Sequence, residues 1–320
     1  GYTAPDYFYD WPANNDNPSY SYDLAPYFDR DQDGQYDPDA GDYPGFDLFG
    51  EFSCLEVSSS NTNRLQGHSA VWQVYNDSGL HTETGGEPLG IEVQCSTFGF
   101  NNCSVLDNTL FQNKRIINRS NNTYYETYIG QWTDTDLGCP TDDYVGCDVA
   151  RGIAYTYNAD QNDSDCDGLT GYGINPPILS FQFLAGPYQD EDGIDNPLTN
   201  SVQDAIDSLG ITYHGLGIGY SDDIVDNERS KMRRFTYYVR ENGGIPEMPV
   251  NSEPHIYTEF YYMLEGKWRN NRPVTYGNLG LDGDVPALFM FRGTSDPLGF
   301  STNGDLVNGN WSDLSDANFP

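Results

Sequence analysis

Alternation of apolar and polar positions is the strongest structural signal in this chain, and it predicts a series of β-strands. In residues 69–77 (SAVWQVYND) apolar side chains recur at every second position, and an Asn-Asp-Ser-Gly turn sequence follows. Aromatic and β-branched residues, which favour strands, dominate the other stretches as well. The predicted strands are 69–77, 90–100, 109–120, 121–134, 151–160, 178–187, 233–242 and 287–293.

Helical spacing of apolar residues occurs in two short stretches. Residues 201–210 carry it and end in glycine, and residues 252–268 carry it with Ser252 as the predicted cap and Pro254 in the first turn. The sequence therefore predicts a mainly β fold. We expect a β-sandwich or packed antiparallel sheets, with long calcium-binding loops and two short helices.

Composition suggests a division near residue 50. Residues 1–50 are poor in aliphatic side chains and rich in Tyr, Asp, Pro and Asn, and they are predicted to be an extended acidic segment packed on the rest. Residues 51–320 are predicted to form a β-rich domain, as one unit or as two packed subdomains.

The net charge narrows the range of partners. The chain has 49 acidic and 15 basic residues, a formal charge of −34, which argues against nucleic acid and against anionic membrane surfaces. No apolar run approaches the ~20 residues of a membrane span. Solvation of an extracellular or salt-exposed surface would explain the total charge. It would not explain the regular local spacing of the aspartates, for which cations are the natural partners.

The first regularly spaced group begins at Asp29. Asp29, Asp31 and Asp33 alternate and Gly34 follows, which is the first half of a calcium-binding loop. Ca²⁺ takes six to eight oxygen ligands, and a tight turn brings alternate side chains inward. Ala40 stands where such loops place their last carboxylate, so Asp39 or Asp42 would have to supply it. The predicted ligands are Asp29, Asp31, Asp33, Gln35 (through its carbonyl), Asp37 and Asp42.

Similar spacing recurs further along the chain. The stretch DSDCDG repeats the pattern in full and QDEDGIDN repeats it in part. The predicted ligands there are Asp163, Asp165 and Asp167, and Asp190, Asp192 and Asp195. A further acidic set is either another cation site or a group of solvated loop ends: Asp134, Asp136, Asp142, Asp143 and Asp148.

Cysteine usage predicts disulfides. The six cysteines are scattered and contain no C-x-x-C pair, so disulfides are favoured over zinc, and they place the chain outside the cytoplasm. Short spacing favours Cys95–Cys103 and Cys139–Cys147, which leaves Cys54–Cys166.

Catalytic motifs are missing from the sequence. The four histidines form no H-E-x-x-H, and there is no G-x-S-x-G and no phosphate-binding loop. We therefore predict that the protein is not an enzyme. A glycosidase needs only two carboxylates beside an aromatic cleft, so that activity stays open, and exposed Tyr and Trp side chains can also stack on sugars.

Several segments together resemble a group of large secreted proteins of Bacteroidota that end in a sorting domain of the type nine secretion system. The resemblance spans roughly Trp11 to Gly304. It is carried by residues 22–44, 81–93, 106–138, 142–158, 172–177, 222–235 and 295–305. It implies export and attachment or adhesion at the cell surface, and no catalytic residues. The chain lacks the sorting domain, so the resemblance also implies the amino-terminal part of a longer polypeptide.

The sequence thus favours a secreted, calcium-stabilised structural or adhesive module of a cell-surface or extracellular assembly. Its expected partners are calcium ions and other surface proteins or glycans, and its oligomeric state is left open. The alternative is a carbohydrate-binding or carbohydrate-active extracellular protein.

Overall fold

A computed structural model describes residues 3–11, 13, 27–44, 67–188, 193–195, 223–238, 250–281, 283–296, 299, 302, 307 and 309–313. Its helices are α1 (Asp6–Tyr9) and α2 (Tyr257–Leu264). Its strands are β1 (Tyr27–Phe28), β2 (Tyr43–Pro44), β3 (Ser69–Asn76), β4 (Ile91–Gly99), β5 (Leu110–Asn118), β6 (Asp143–Asp148), β7 (Ile153–Asn158), β8 (Asn162–Asp163), β9 (Gly173–Ile174) and β10 (Ile178–Gln182).

The chain divides into two compact units, Gly1–Tyr124 and Tyr125–Pro320. The predicted boundary between residues 1–50 and 51–320 falls outside the described residues and stays a prediction.

An antiparallel meander of β3, β4 and β5 forms the main sheet of the first unit. The central strand β4 is the most buried of the three. On one face Trp72 packs against Trp11, with ring centroids 5.2 Å apart, and Phe98 stacks on its cross-strand neighbour Phe111 at 5.3 Å. Cross-strand aromatic pairs of this kind stabilise a sheet beyond simple burial.

The second unit is built around an antiparallel sheet with the strand order β10–β7–β6. Its largest buried cluster consists of Trp268, Val274, Ala287, Met290, Phe291 and Trp311. The indole N–H of Trp268 donates to the carbonyl oxygen of Gly280 at 2.8 Å, so the polar atom of this buried ring is satisfied. The strand β6 joins the sheet to this core because the backbone N–H of Cys147 donates to the carbonyl of Phe291.

The prediction of a mainly β chain with antiparallel sheets is confirmed. Strands occur inside the predicted stretches 69–77, 90–100, 109–120, 151–160 and 178–187. The strand β6 was not predicted, because its sequence DYVGCD places acidic residues and a glycine within the alternation.

Three strand predictions are wrong for the described residues. Residues 121–134 form no strand, and Glu126 in their centre has a positive φ of 51°, which a strand does not allow. Residues 233–238 and 287–293 contain only isolated bridges, such as the one between Phe235 and Phe289. Their apolar residues line the core without forming ladders, so periodicity alone was misleading there.

The helix predicted over 252–268 is shorter than expected, since α2 begins at Tyr257. Ser252 does not cap it: this fully buried side chain instead accepts a hydrogen bond from the guanidinium of Arg269 at 2.7 Å. The helix predicted over 201–210 lies outside the described residues. Neither α1 nor α2 has the length and apolarity that crossing a bilayer requires, and no other helix in the described part of the chain does.

The predicted disulfide pattern is wrong, although a disulfide is present. Cys139 pairs with Cys166, whereas Cys95, Cys103 and Cys147 are free. Cys95 and Cys147 lie inside β4 and β6 and are each about 1% exposed. Pairing within the sheets fixes the positions of both cysteines and leaves them buried. The short sequence distances to Cys103 and Cys139 were therefore a poor guide to disulfide formation. Cys54 lies outside the described residues.

Removing the disulfide should destabilise the protein measurably. The pair Cys139→Ala and Cys166→Ala opens a loop of sequence separation 27. The chain-entropy estimate for such a loop is about 3.5 kcal/mol of unfolding free energy. Urea denaturation of the double variant and the wild type measures this difference. The matched control is Cys103→Ser, which changes an exposed free thiol and should leave the unfolding midpoint unchanged. Equal midpoints for wild type and the double variant would contradict the prediction.

Candidate metal centre

A short ladder closes the first acidic loop. The strands β1 and β2 pair antiparallel, with Phe28 opposite Tyr43 and their rings stacked at 4.6 Å. This pairing brings the two ends of the segment 29–42 together, so residues distant in the sequence of the loop become neighbours.

Asp29 organises the beginning of this loop. Its carboxylate accepts backbone N–H groups from Gln32 at 2.6 Å, Asp33 at 3.2 Å and Gly34 at 2.8 Å. Gly34 has φ of 81°, a left-handed conformation that glycine adopts without steric cost. The bond from Gly34 is the largest cause that holds the pKa of Asp29 below its usual value.

Asp42 closes the other end of the loop and is completely buried. One carboxylate oxygen accepts the backbone N–H of Arg30 at 2.8 Å, and the other accepts that of Asp37 at 2.9 Å. A buried carboxylate without such donors would be strongly destabilising. Asp42 therefore joins the two halves of the loop.

These constraints bring three carboxylates into one group. Asp29, Asp31 and Asp42 each offer an oxygen, and these oxygens all lie within 4.8 Å of one another. Within the described residues, this is the only set of three or more His, Cys, Asp or Glu side chains with such geometry. The pKa of Asp31 is raised, first by partial desolvation and then by repulsion from Asp33.

The other predicted ligands of the loop lie outside the three-carboxylate group. Asp33 accepts the backbone N–H of Gln35 at 2.7 Å, and Asp37 accepts that of Asp39 at 2.9 Å. Both side chains thereby shape turns of the loop. The roles of Asp33, Gln35 and Asp37 as ligands stay predictions.

The second predicted loop contains no such group. Asp163 is about 1% exposed and accepts backbone N–H groups from Cys139 at 3.1 Å and Tyr172 at 2.7 Å. A Cβ atom at Gly138 or Gly171 would collide with Asp163, so both glycines make room for it. Asp163 therefore joins the segments of Cys139 and Tyr172 through hydrogen bonds, beside the disulfide.

The remaining predicted ligands are placed as follows. Asp165 accepts the backbone N–H of Gly171 at 3.0 Å, and Asp167 has a positive φ of 46° at the tip of the loop. Asp195 is about 8% exposed and accepts the backbone N–H of Asp223 at 2.7 Å. Asp190 and Asp192 lie outside the described residues.

Several acidic side chains of the second unit act on one another near β6. Asp143 accepts the backbone N–H of Leu137 at 2.8 Å, and Asp142 accepts an amide N–H from Asn158 at 3.1 Å. The Oδ1 atoms of Asp142 and Asp143 are buried and have no hydrogen-bond partner. Burial, followed by repulsion from Asp142, Asp163 and Asp136, raises the pKa of Asp143 to about 6.

Sequence reasoning missed how the first loop is closed. The aromatic residues Tyr27, Phe28 and Tyr43 flank the acidic segment on both sides, and this symmetry was the available signal for a short ladder. Its consequence is that Asp42, rather than Asp33, stands beside Asp29 and Asp31.

Comparison of the chain with protein-family models, curated proteins and solved structures finds no match.

Asp143 should make stability depend on pH. Its pKa is higher in the folded state than the ordinary value of 3.8, so the folded state binds the proton more tightly. The stabilisation from this proton is complete below about pH 4 and is lost as the pH rises through about 6. At pH 7.5 we therefore expect Asp143→Asn to stabilise the protein. A shift of this size corresponds to ~3 kcal/mol, which partial solvation reduces to about 1 kcal/mol.

Thermal unfolding of Asp143→Asn and wild type at pH 7.5 and pH 3.5 measures this effect, and the difference should vanish at the lower pH. The matched control is Asp134→Asn, which removes the same charge from an exposed residue of the neighbouring loop. If both variants stabilise equally, the effect comes from the total charge and not from Asp143.

Proposed function

We propose that this protein is a calcium-stabilised structural or adhesive module of an extracellular or cell-surface assembly. The observation that carries the proposal is the convergence of Asp29, Asp31 and Asp42 within 4.8 Å inside a loop closed by β1 and β2.

The chemistry of the group suits a hard cation. It contains carboxylate oxygens and no histidine or cysteine, and oxygen ligands select Ca²⁺ or Mg²⁺ over zinc or copper. Carboxylate oxygens that accept a backbone N–H keep further lone pairs, so Asp29 and Asp42 can still bind a metal. Three carboxylates leave most of six to eight positions to backbone carbonyls and water, which Ca²⁺ tolerates better than the strictly octahedral Mg²⁺.

A bound cation would stabilise the loop by removing repulsion. Three negative groups are held close together by backbone hydrogen bonds and by burial of Asp42, and the nearest base in the loop is the exposed Arg30. A divalent ion that binds the folded loop and not the unfolded chain adds stability by mass action.

Two further features favour an extracellular location. The disulfide Cys139–Cys166 is typical of oxidising compartments. The resemblance to secreted proteins of Bacteroidota also implies export. Under this proposal the weak calcium affinities of extracellular modules, on the order of 10⁻⁴–10⁻³ M, would suffice.

Calcium should raise the melting temperature, and EDTA should lower it. At a calcium concentration a hundredfold above Kd, the gain is about 2.7 kcal/mol, which amounts to several degrees in a chain of this size. Calorimetry at constant ionic strength, with Mg²⁺ as the comparison ion, measures the shift. Asp31→Asn should abolish most of it, because Asp31 belongs to the group and is exposed.

The matched control is Asp10→Asn, which removes an exposed carboxylate of the same unit from outside the loop and should keep the full calcium response. Asp33→Asn distinguishes the ligands predicted from sequence spacing, which include Asp33, from the group Asp29, Asp31 and Asp42. This variant should keep the full calcium-dependent rise in melting temperature if that group binds the ion. Identical melting of wild type in calcium and in EDTA would refute the calcium site.

A second candidate function, carbohydrate binding, is favoured by one surface of the second unit. We define its aromatic platform as Tyr128, Trp132, Tyr238, Tyr257 and Tyr261. Trp132 is 62% exposed, yet its indole N–H is held by the hydroxyl of Tyr238. Tyr128 meets Tyr261 edge to face at 5.5 Å, and Tyr257 lies one helical turn before Tyr261 on α2. Trp132, Tyr257 and Tyr261 are exposed, whereas Tyr128 and Tyr238 are half-buried and hold Tyr261 and Trp132 in orientation.

The charged groups around the platform have both signs: Arg234 lies over the ring of Tyr128, and the acidic groups that act on Tyr238 and Tyr261 include Glu253, Asp134 and Glu126. Two further acidic groups are paired. Glu265 pairs with Lys267 at 2.9 Å and Glu259 with Arg269 at 3.1 Å, so these carboxylates are already neutralised by the chain itself. Fixed aromatic rings with polar tips bury apolar area at low entropic cost. The apolar C–H face of a neutral sugar is the matching chemistry.

Trp132→Ala should therefore weaken binding to neutral polysaccharides about five- to 150-fold, which corresponds to the ~1–3 kcal/mol typical of stacking on an aromatic side chain. Affinity electrophoresis in gels that contain neutral glucans, mannans or xylans measures the retardation. The matched control Tyr172→Ala removes an exposed ring of the same unit outside the platform and should bind like wild type. A wild type that migrates unretarded in every gel would exclude this function. A reducing-sugar assay on the same polymers tests the prediction that the protein is not an enzyme.

A further inference from the structure

The longest uncharged part of this acidic chain lies in the second unit. Residues 168–188 contain no Asp, Glu, Lys, Arg or His, although one residue in five of the whole chain is charged. The stretch includes β9 and β10. Its exposed large apolar side chains are Leu169, Tyr172, Ile174, Ile178, Leu179, Phe181, Leu184 and Tyr188.

The two outer strands of the sheet β10–β7–β6 differ in how their free sides are covered. Along β6 the chain itself supplies acceptors: the backbone N–H groups of Val145, Cys147 and Val149 donate to Asp313, Phe291 and Ser295. Along β10 every residue is exposed, and within the described residues the strand pairs only with β7. One edge of the sheet is thus closed and the other is open.

At the open edge, the face of the sheet that packs on the core still carries exposed apolar side chains. Leu179 and Phe181 lie opposite Thr156 and Ala154 of β7, in the same rows as Val145 and Cys147 of β6. Cys147 faces the buried cluster with Val149 and Phe289. On the same face, however, Leu179 and Phe181 remain 41% and 38% exposed. A further strand paired with β10 would extend the sheet and cover them.

The backbone of β10 also determines which groups point outward. The N–H of Phe183 donates to Gly152 next to β7, so by the antiparallel alternation Phe181 and Leu179 also face β7. The outward N–H and C=O groups are therefore those of Ile178, Ser180 and Gln182.

We propose that two copies of this chain associate through β10, antiparallel, about a two-fold axis at Ser180. In this register Ser180 faces Ser180 of the second copy, and Ile178 faces Gln182. Each facing pair has its N–H and C=O groups turned toward the other strand, so each exchanges both hydrogen bonds of a closely spaced antiparallel pair. On the core side Leu179 lies against Phe181 of the second copy, which completes the unfinished apolar row.

Charge limits where a second copy can bind. Two chains of charge −34 repel wherever their acidic surfaces approach, and this repulsion decays over about 8 Å at physiological ionic strength. The uncharged strand β10 is a place where two copies can meet with little of this repulsion. Contact through β10 puts no charged side chain on the two facing strands, because residues 178–182 carry none. A two-fold interface must also be self-complementary, and the sequence ILSFQ meets this condition about its central serine. The interface is small, so we expect a weak, concentration-dependent dimer.

Sedimentation equilibrium of the whole chain from micromolar to millimolar concentration tests the proposal. Wild type should dimerise. Ser180→Asp and Ser180→Lys each place like charges against each other on the axis, so each variant alone should dimerise at least tenfold more weakly. An equimolar mixture of the two should restore association, because opposite charges then face each other. Thr170→Asp adds a charge to the same uncharged stretch outside β10 and should dimerise like wild type.

A wild type that stays monomeric at millimolar concentration would overturn the proposal. So would Ser180→Asp associating as strongly as wild type, or a mixture no more associated than its components. Repeating the series in EDTA keeps this test separate from the calcium site, which belongs to the first unit.

Discussion

A carboxylate that is removed from water needs hydrogen-bond donors, and this requirement organises much of the chain. Asp42, Asp163 and Asp313 are almost inaccessible to solvent, and each accepts at least one backbone N–H from a segment elsewhere in the sequence. With 49 acidic and only 15 basic residues, the chain has too few cations to pair its acids. Backbone N–H groups are the largest remaining supply of donors. Buried acidic side chains therefore connect loops to one another by accepting these N–H groups.

The same requirement explains why the two D-x-D-x-D-G sequences end in different arrangements. In the first, the ladder of β1 and β2 returns the chain so that Asp42 stands beside Asp29 and Asp31. In the second, the disulfide holds Cys139 close, and Asp163 turns to its backbone N–H instead. Spacing predicts that alternate carboxylates can point to one side. It does not tell which groups will lie beside these carboxylates, because that depends on which distant segment of the chain packs against the loop.

The fold was predictable from sequence where local pattern and tertiary packing agree. Alternation identified β3, β4, β5, β7 and β10 because each of them pairs along its length. It failed in 121–134, where the boundary between the two units falls after Tyr124 and Glu126 adopts a left-handed conformation. It failed in 287–293 because these residues are buried by side-chain packing and pair only at isolated positions. For the disulfide, sequence distance carried little information.

The open edge strand of the second unit, β10, carries no charged side chain. Proteins usually protect an open edge strand with charged residues, especially lysine, or with proline. This chain has three lysines, Lys114, Lys231 and Lys267, and none lies in β10. Prolines 176, 177 and 187 bracket the strand instead, which limits the open edge to a few residues. Because β6 is already closed by the chain itself, a strand added to β10 leaves no edge from which the sheet could grow. The edge is therefore suited to a closed pair of chains and not to an open-ended assembly.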